Sequence, residues 1–117
     1  LLVENNAEFP HRNPHYKGLS KSEKQALPVI EKNNYNSHNR LVTLQLAKNK
    51  TPLDSAYLLA ADKKGKRYVK VKATIEAKPD TPTLVTAKVP AENYGYVVVL
   101  IDKNNFMIQS DPYKIKN

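Results

Sequence analysis

The sequence predicts an all-β domain built as an antiparallel sandwich of two sheets. Three observations favour this class. From residue 41 onward, apolar and polar side chains alternate with a period of two, which is typical of half-buried strands. Turn-forming residues interrupt this alternation at intervals of roughly 10 to 14 residues, as they do between the short strands of sandwiches. The third observation is that this part of the chain has no helical period.

Two segments show the alternation most clearly. In the strand predicted at Leu41–Ala47, the apolar side chains all fall on one face, and they are Val42, Leu44 and Leu46. In the strand predicted at Arg67–Ala77, the residues expected to point inward are Val69, Val71, Ala73 and Ile75. The residues expected to point outward are Tyr68, Lys70, Lys72 and Glu76. A slip of one residue would bury lysines without partners, so the register of this strand should be firmly set.

Five further strands complete the predicted set. They lie at residues 55–61, 83–89, 94–101, 106–109 and 113–115, and the first of them also fits a short helix because alanine and leucine dominate it. The run Val97–Ile101 is apolar throughout, which fits a strand buried on both faces. About seven strands of this kind indicate an immunoglobulin-like or fibronectin-III-like antiparallel β-sandwich without a disulfide. A five-stranded OB-type barrel is the alternative fold.

Residues 1–40 differ from the rest and are predicted to form a loop-rich N-terminal arm before the sandwich at residues 41–117. The arm has one candidate short helix, Ser20–Leu27, where Ser20 and Glu23 have the spacing of a capping box. Residues 33–39 are polar or turn-forming and are predicted to be a loop. Because a long segment with little regular structure is unusual in a compact domain, the arm should pack across the sandwich or against another chain.

Composition excludes several classes of protein and site. The 117 residues include no cysteine, which excludes disulfides, thiolate zinc sites, iron–sulfur clusters and a cysteine nucleophile. No run of about 18 apolar residues is present, so no membrane-spanning helix is predicted. The net charge of +8 comes from 19 basic residues, 16 of them lysine, against 11 acidic ones. Such a surface attracts anionic partners, although bidentate phosphate recognition favours arginine.

A group of basic residues on one predicted turn and the strand after it is the strongest local signal for binding. We call it the basic surface, and it consists of Lys63, Lys64, Lys66, Arg67, Tyr68, Lys70 and Lys72. Lysines interleaved with a tyrosine on one face of a strand can follow a phosphate backbone and offer a ring for stacking. The same lysines can instead solvate the outer face of a sheet or protect an exposed edge strand.

Candidates for catalysis or metal binding are few. His11 and His15 are four residues apart, but Pro14 between them prevents the helix that would bring both onto one metal ion. No glycine-rich phosphate loop, nucleophile motif or carboxylate pair stands out, so we predict no enzyme activity, no metal and no cofactor. Tyr94 and Tyr96 suit either a sugar-stacking pair or, for one of them, a buried tyrosine of the core.

Four segments in the second part of the chain follow one another in an order that resembles a known family. They are Val42–Leu46, Thr86–Pro90, Tyr94–Val99 and Ser110–Ile115. In this order, residues 41–115 are similar to the extracellular immunoglobulin-like domain of fungal Ser/Thr-rich GPI-anchored proteins and of cell-wall glucan-synthesis proteins. The resemblance implies a secreted or surface sandwich with a wall-associated or binding role, and no catalytic residues.

Taken together, these features predict a non-enzymatic, secreted or cell-surface sandwich that binds a cell-wall polysaccharide or a protein, as an effector or virulence-type protein would. Asn49 begins an Asn-Lys-Thr motif on a predicted turn, which is a possible glycosylation site and favours secretion. The alternative is a basic nucleic-acid-binding β-barrel module that uses Lys63–Lys72. A third hypothesis is a subunit of a larger assembly, with the N-terminal arm wrapped around its partner.

Overall fold

Two antiparallel sheets and one short helix make up the part of the chain that the structure, a computed structural model, describes, residues 20–64 and 66–115. The helix and strands in chain order are α1 Lys21–Ala26, β1 Ile30–Asn36, β2 Leu41–Leu46, β3 Leu53–Ala61, β4 Tyr68–Lys72, β5 Thr74–Glu76, β6 Leu84–Lys88, β7 Gly95–Asp102, β8 Met107–Gln109 and β9 Tyr113–Lys114. The predicted all-β class is confirmed at this level.

The first sheet has the strand order β1-β2-β6-β5, and the second has the order β4-β3-β7. Along the far side of β7 lie two short strands, β8 beside its second half and β9 beside its first. All strand pairs are antiparallel. The strands of residues 20–64 and 66–115 thus form two separate sheets rather than the closed barrel that was the alternative fold.

The two sheets face each other across a shared apolar core, because alternate residues of each strand point into the space between them. The main contributions of the first sheet are Val42, Leu44, Leu46, Val85 and Ala87. Those of the second sheet are Ala56, Leu58, Ala60, Tyr96, Val98 and Leu100. The side chains predicted to share one face of β2 are at most 4% exposed, so the predicted orientation of that strand is confirmed.

The segment predicted as one strand at Arg67–Ala77 is two strands in different sheets. β4 pairs with β3 in the second sheet, and β5 pairs with β6 in the first. At Ala73, between them, the backbone amide donates to the carbonyl of Ala56 at 3.1 Å as the chain crosses over. Val71 and Ile75 pack against the same core from opposite sheets, which is why the alternation continues through the crossing. Val69, predicted to be inward, is 46% exposed.

The prediction of a loop at residues 33–39 is wrong over the first half of that range, because β1 extends to Asn36 and pairs with β2. β1 is an edge strand in which only Ile30 and Tyr35 are half-buried, so its polar residues face solvent while its backbone completes the ladder. The propensity of asparagine for turns is outweighed here by backbone pairing with a buried neighbour. The register shifts between Ile30 and Lys32, as in a β-bulge.

The helix predicted in the arm is confirmed, and it is short. The Ser20 hydroxyl accepts a hydrogen bond from the Glu23 amide at 3.1 Å, and the Glu23 carboxylate accepts one from the Ser20 amide at 2.9 Å, which completes the capping box. The chain leaves α1 through Leu27, which is buried. Residues 1–19, the first part of the predicted arm, lie outside the described residues.

Candidate ligand-binding surface

The β3–β4 hairpin carries the basic surface on the edge of the second sheet. Its register pairs Leu59 with Lys70 and Tyr57 with Lys72, which places both lysines on the outer face, away from the core. The residue between them, Val71, faces inward and contacts the core. Because side chains alternate along a strand, Tyr68 shares the outer face with the two lysines. All seven residues predicted for this surface are exposed.

The connection between β3 and β4 is held by Asp62, so its lysines project from a defined turn. The Asp62 amide donates to the Arg67 carbonyl at 3.0 Å, and its carboxylate accepts from the Lys66 amide at 2.9 Å. Lys63 and Lys64 stand at the tip of this turn and are exposed. Gly65 lies outside the described residues.

Six cations lie on this surface, and the carboxylate of Asp62 belongs to its turn. Lys103 and Asp54 form an ion pair at 3.8 Å outside the basic surface, and both side chains are more than half exposed. Lys70 instead places its ammonium 4.4 Å from the ring centre of Tyr57, a cation–π contact. Like charges that close together on one face attract an anion more strongly than isolated lysines do.

A groove of about 1010 Å³ opens where the chain crosses from β4 to β5. Its polar and charged lining comes from Asp54, Ser55, Tyr57, Lys70, Lys72 and Thr74. Its apolar lining comes from Ala56, Ala73, Ile75 and Ile101. The groove therefore continues the basic surface past the end of β4 and adds a carboxylate and an apolar base to it. Neither Asp54 nor Tyr57 was predicted as a site residue, because they belong to β3 and reach the lysines only through strand pairing.

The two tyrosines weighed as a sugar-stacking pair do not share an exposed face. Tyr96 is 2% exposed and donates its hydroxyl to the Asn33 side chain at 3.2 Å, while Tyr94 lies before β7 and is half-buried. The Tyr96 ring lies 5.2 Å from that of Tyr113 and 6.1 Å from that of Tyr35. Burial raises the pKa of the Tyr96 phenol well above its usual value, and Tyr113 and Tyr35 raise it further. Tyr96 is therefore a core residue that ties β7 to β1.

Arg40 is a half-buried residue whose contacts no sequence pattern indicated. It lies at the end of the turn between β1 and β2, with a positive φ of 58°. Its guanidinium donates to the carbonyls of Val89 at 3.1 Å, Pro90 at 2.7 Å and Asn93 at 2.5 Å. A planar fork suits several carbonyls at once, which lysine would not. Arg40 thus fixes the connection that leads from β6 to β7.

The remaining candidate sites from the sequence have different outcomes. Asn49 is exposed on the turn after β2, with a φ of 63°, and its glycosylation stays a prediction. His11 and His15 lie outside the described residues. Within residues 20–64 and 66–115, no group of three histidine or carboxylate residues is placed to hold a metal ion. None of the helices in this part of the chain has the length and apolar character that crossing a membrane requires.

Comparison of the chain with protein-family models, with curated proteins and with solved structures finds no match.

Proposed function

We propose that the chain is a non-enzymatic binding module that works outside the cell or on its surface and holds an acidic polysaccharide on the basic surface. The observation that carries this proposal is the row formed by Tyr68, Lys70 and Lys72 along β4. Successive outward residues of a strand are about 6.6 Å apart, so this row presents two cations and a ring in line. A linear polymer with a carboxylate or sulfate in each repeat has complementary charges in line.

The strand order supports an immunoglobulin-like class for this module. In immunoglobulin-like domains, strands A, B, E and D form one sheet, and C, F and G form the other. β1, β2, β6 and β5 occupy the positions of A, B, E and D, and β3, β7 and the pair β8 and β9 occupy those of C, F and G. β4 takes the position of the extra strand beside C. Domains of this architecture serve many functions, so the surface carries the functional argument rather than the fold.

Two features favour an acidic polysaccharide over a nucleic acid, which was the alternative. Arg67 is the one arginine of the basic surface, whereas bidentate phosphate contacts favour arginine. Tyr68, 40% exposed, is the one aromatic ring on that surface. Proteins that bind single-stranded nucleic acid stack successive bases on several aromatic rings. A sugar polymer needs only one platform and several point charges.

The test compares two double variants that each lower the net charge of +8 by two. Lys70→Gln with Lys72→Gln alters the row on β4, and Lys32→Gln with Lys88→Gln alters exposed lysines of the first sheet. Binding to an immobilised polyuronate, a neutral glucan and single-stranded DNA is measured at low and at physiological salt. We expect polyuronate binding at physiological salt that falls about tenfold in the β4 variant, about 1.4 kcal/mol, and little in the control.

Three outcomes would contradict the proposal. Equal losses in the two double variants would mean that only the total charge attracts the polymer. Tighter binding to single-stranded DNA that survives physiological salt would support the nucleic-acid alternative. Binding to the neutral glucan that neither variant changes would place the sugar contact elsewhere on the protein.

A further inference from the structure

A second apolar cluster lies on the outer face of the second sheet, the face that points away from the first sheet. We call it the outer cluster, and it consists of Tyr57, Leu59, Val97, Val99, Ile101 and Met107. The register confirms that these residues share one face, because Val97 pairs with Leu59 and Val99 pairs with Tyr57. They alternate along β3 and β7 with the residues of the core between the sheets.

The outer cluster is too well buried for the bare face of a sheet. Val97 and Val99 are 0% exposed and Leu59 is 1% exposed. Side chains on one face of a sheet keep their tips in solvent unless a further layer packs about 10 Å away. Among residues 20–64 and 66–115, the contacts between helices and strands are lateral within a sheet or cross between the two sheets, and none crosses the outer face. A further layer must therefore cover the outer cluster.

We propose that residues 1–19 of this chain form that layer by lying across the outer cluster. Their length suffices, because 19 extended residues reach about 60 Å, whereas the 8 residues of β7 span about 26 Å. Their composition suits the site, since the segment contains apolar side chains spread along its length. These are Leu1, Leu2, Val3, Phe9, Tyr16 and Leu19. The proposal rests on the burial of the outer cluster and not on the ligand assigned to the basic surface.

The place where the described chain begins also favours this occupant. The carbonyl of Ala26 in α1 accepts a hydrogen bond from the Thr51 amide at 2.8 Å. The carbonyl of Pro52, the residue after Thr51, accepts a hydrogen bond from the Lys103 amide at 2.9 Å. α1 therefore lies beside the end of the second sheet where β3 begins and β7 ends. Ile101 of the outer cluster is at that same end, so a segment leading into Ser20 is within reach of it.

The absence of cysteine allows a direct test with single spin labels on the full chain. Gln109→Cys places a nitroxide on the outer face of the second sheet, because Gln109 pairs with Val99. Thr86→Cys places the control label on the outer face of the first sheet, between the inward residues Val85 and Ala87. Paramagnetic broadening of the amide signals of residues 1–19 is then measured by NMR. We expect strong broadening from the label at position 109 and little from the label at position 86.

Broadening from neither label, or mainly from the one at position 86, would overturn the proposal. A mixture of spin-labelled protein and isotope-enriched protein that has no spin label distinguishes contact with a second copy from contact within one chain. Broadening of the same signals in this mixture would mean that another copy covers the outer cluster, which would also overturn the proposal. The intramolecular arrangement predicts broadening that is independent of protein concentration.

A second measurement does not depend on labels. Val3→Asp with Phe9→Asp adds two negative charges to the apolar side chains of the segment, and Asn5→Asp with Asn13→Asp adds the same charge at polar positions. If the segment covers the outer cluster, the first variant should expose apolar surface and increase the fluorescence of a hydrophobic dye severalfold. The control should change it little. Equal fluorescence in the two variants would contradict the proposal.

Discussion

Removing the Arg40 side chain should destabilise the domain more than removing any other partly exposed charge that we describe. Arg40 is half-buried, and its guanidinium donates three hydrogen bonds to backbone carbonyls 49 to 53 residues further along the chain. These bonds join the β1–β2 turn to the connection between β6 and β7. In Arg40→Ala, the three carbonyls lose a charged donor, and the Pro90 carbonyl keeps the hydrogen bond from the Asn93 amide at 3.0 Å.

The expected loss of stability in Arg40→Ala follows from the three hydrogen bonds and from the partial exposure of the side chain. A hydrogen bond to a charged group contributes about 1.5–3 kcal/mol when well protected. Because Arg40 is only half-buried and water can replace part of each bond, we expect a total loss of roughly 2–4 kcal/mol. For a domain of about 100 residues this is a large share of the free energy of unfolding. It corresponds to a fall in Tm of roughly 8 °C or more.

Two further substitutions separate the side chain from the backbone. Arg40 has a φ of 58°, a conformation that costs residues with a Cβ about 1–2 kcal/mol. Arg40→Gly loses the same hydrogen bonds but relieves that cost, so it should be about 1 kcal/mol less destabilising than Arg40→Ala. Arg40→Lys keeps the charge without the fork and should fall between wild type and Arg40→Ala.

Urea denaturation, followed by tyrosine fluorescence, measures these free energies of unfolding. The reasoning would be refuted if Arg40→Ala unfolded within about 0.5 kcal/mol of the wild type, the range of ordinary surface substitutions. It would also fail if Arg40→Gly were more destabilising than Arg40→Ala, since the backbone cost would then play no part. Lys48→Ala, at an exposed position, is the control for loss of one positive charge.

Three other predictions follow from the two faces of the second sheet. Val71→Asp, which puts a charge against the core, should cost several kcal/mol, whereas Lys70→Asp should cost at most about 1 kcal/mol; the reverse order would contradict the orientation of β4. Leu58→Ala, at a side chain that is 0% exposed, should cost about 2–5 kcal/mol, and a loss below about 1 kcal/mol would mean a loosely packed core. Because the Tyr96 pKa is raised by folding, stability should be full below about pH 10 and fall as the pH rises above it. Tyr96→Phe should lose that slope in urea titrations, and an unchanged slope would assign it to other groups.

The strands whose two faces differ in polarity were predictable from the sequence. The prediction failed for a strand whose faces are both polar, and where strand pairing determines the sheet to which a segment belongs. β2 and β6 alternate cleanly and were found almost to the residue. β1 is polar on nearly every position, so nothing in its pattern separates it from a loop. The crossing at Ala73 was also hidden, because the chain changes sheets while it keeps the same side toward the core. Alternation reports a face, but not the sheet to which the face belongs.

The candidate surface was predictable to the extent that it lies on one strand. The seven residues of the basic surface lie within residues 63–72, so their alternation was sufficient to place Lys70 and Lys72 outward. Asp54 and Tyr57 belong to β3, a different strand, and join the groove through the β3–β4 register and the crossing that follows it. Arg40 acts on carbonyls 49 to 53 residues away, and such contacts leave no local pattern.

β7 contributes side chains both to the core between the sheets and to the outer cluster. A strand of an antiparallel sheet with one wet face alternates apolar and polar residues, but Val97–Ile101 has no polar residue at all. Its even-numbered members, Val98 and Leu100, fill the core between the sheets, and its odd-numbered members enter the outer cluster. An unbroken apolar run in a central strand therefore requires three layers rather than two. The first sheet supplies one and the second sheet the next, and residues 1–19, which precede α1 beside the end of β7, are the segment that we propose for the third.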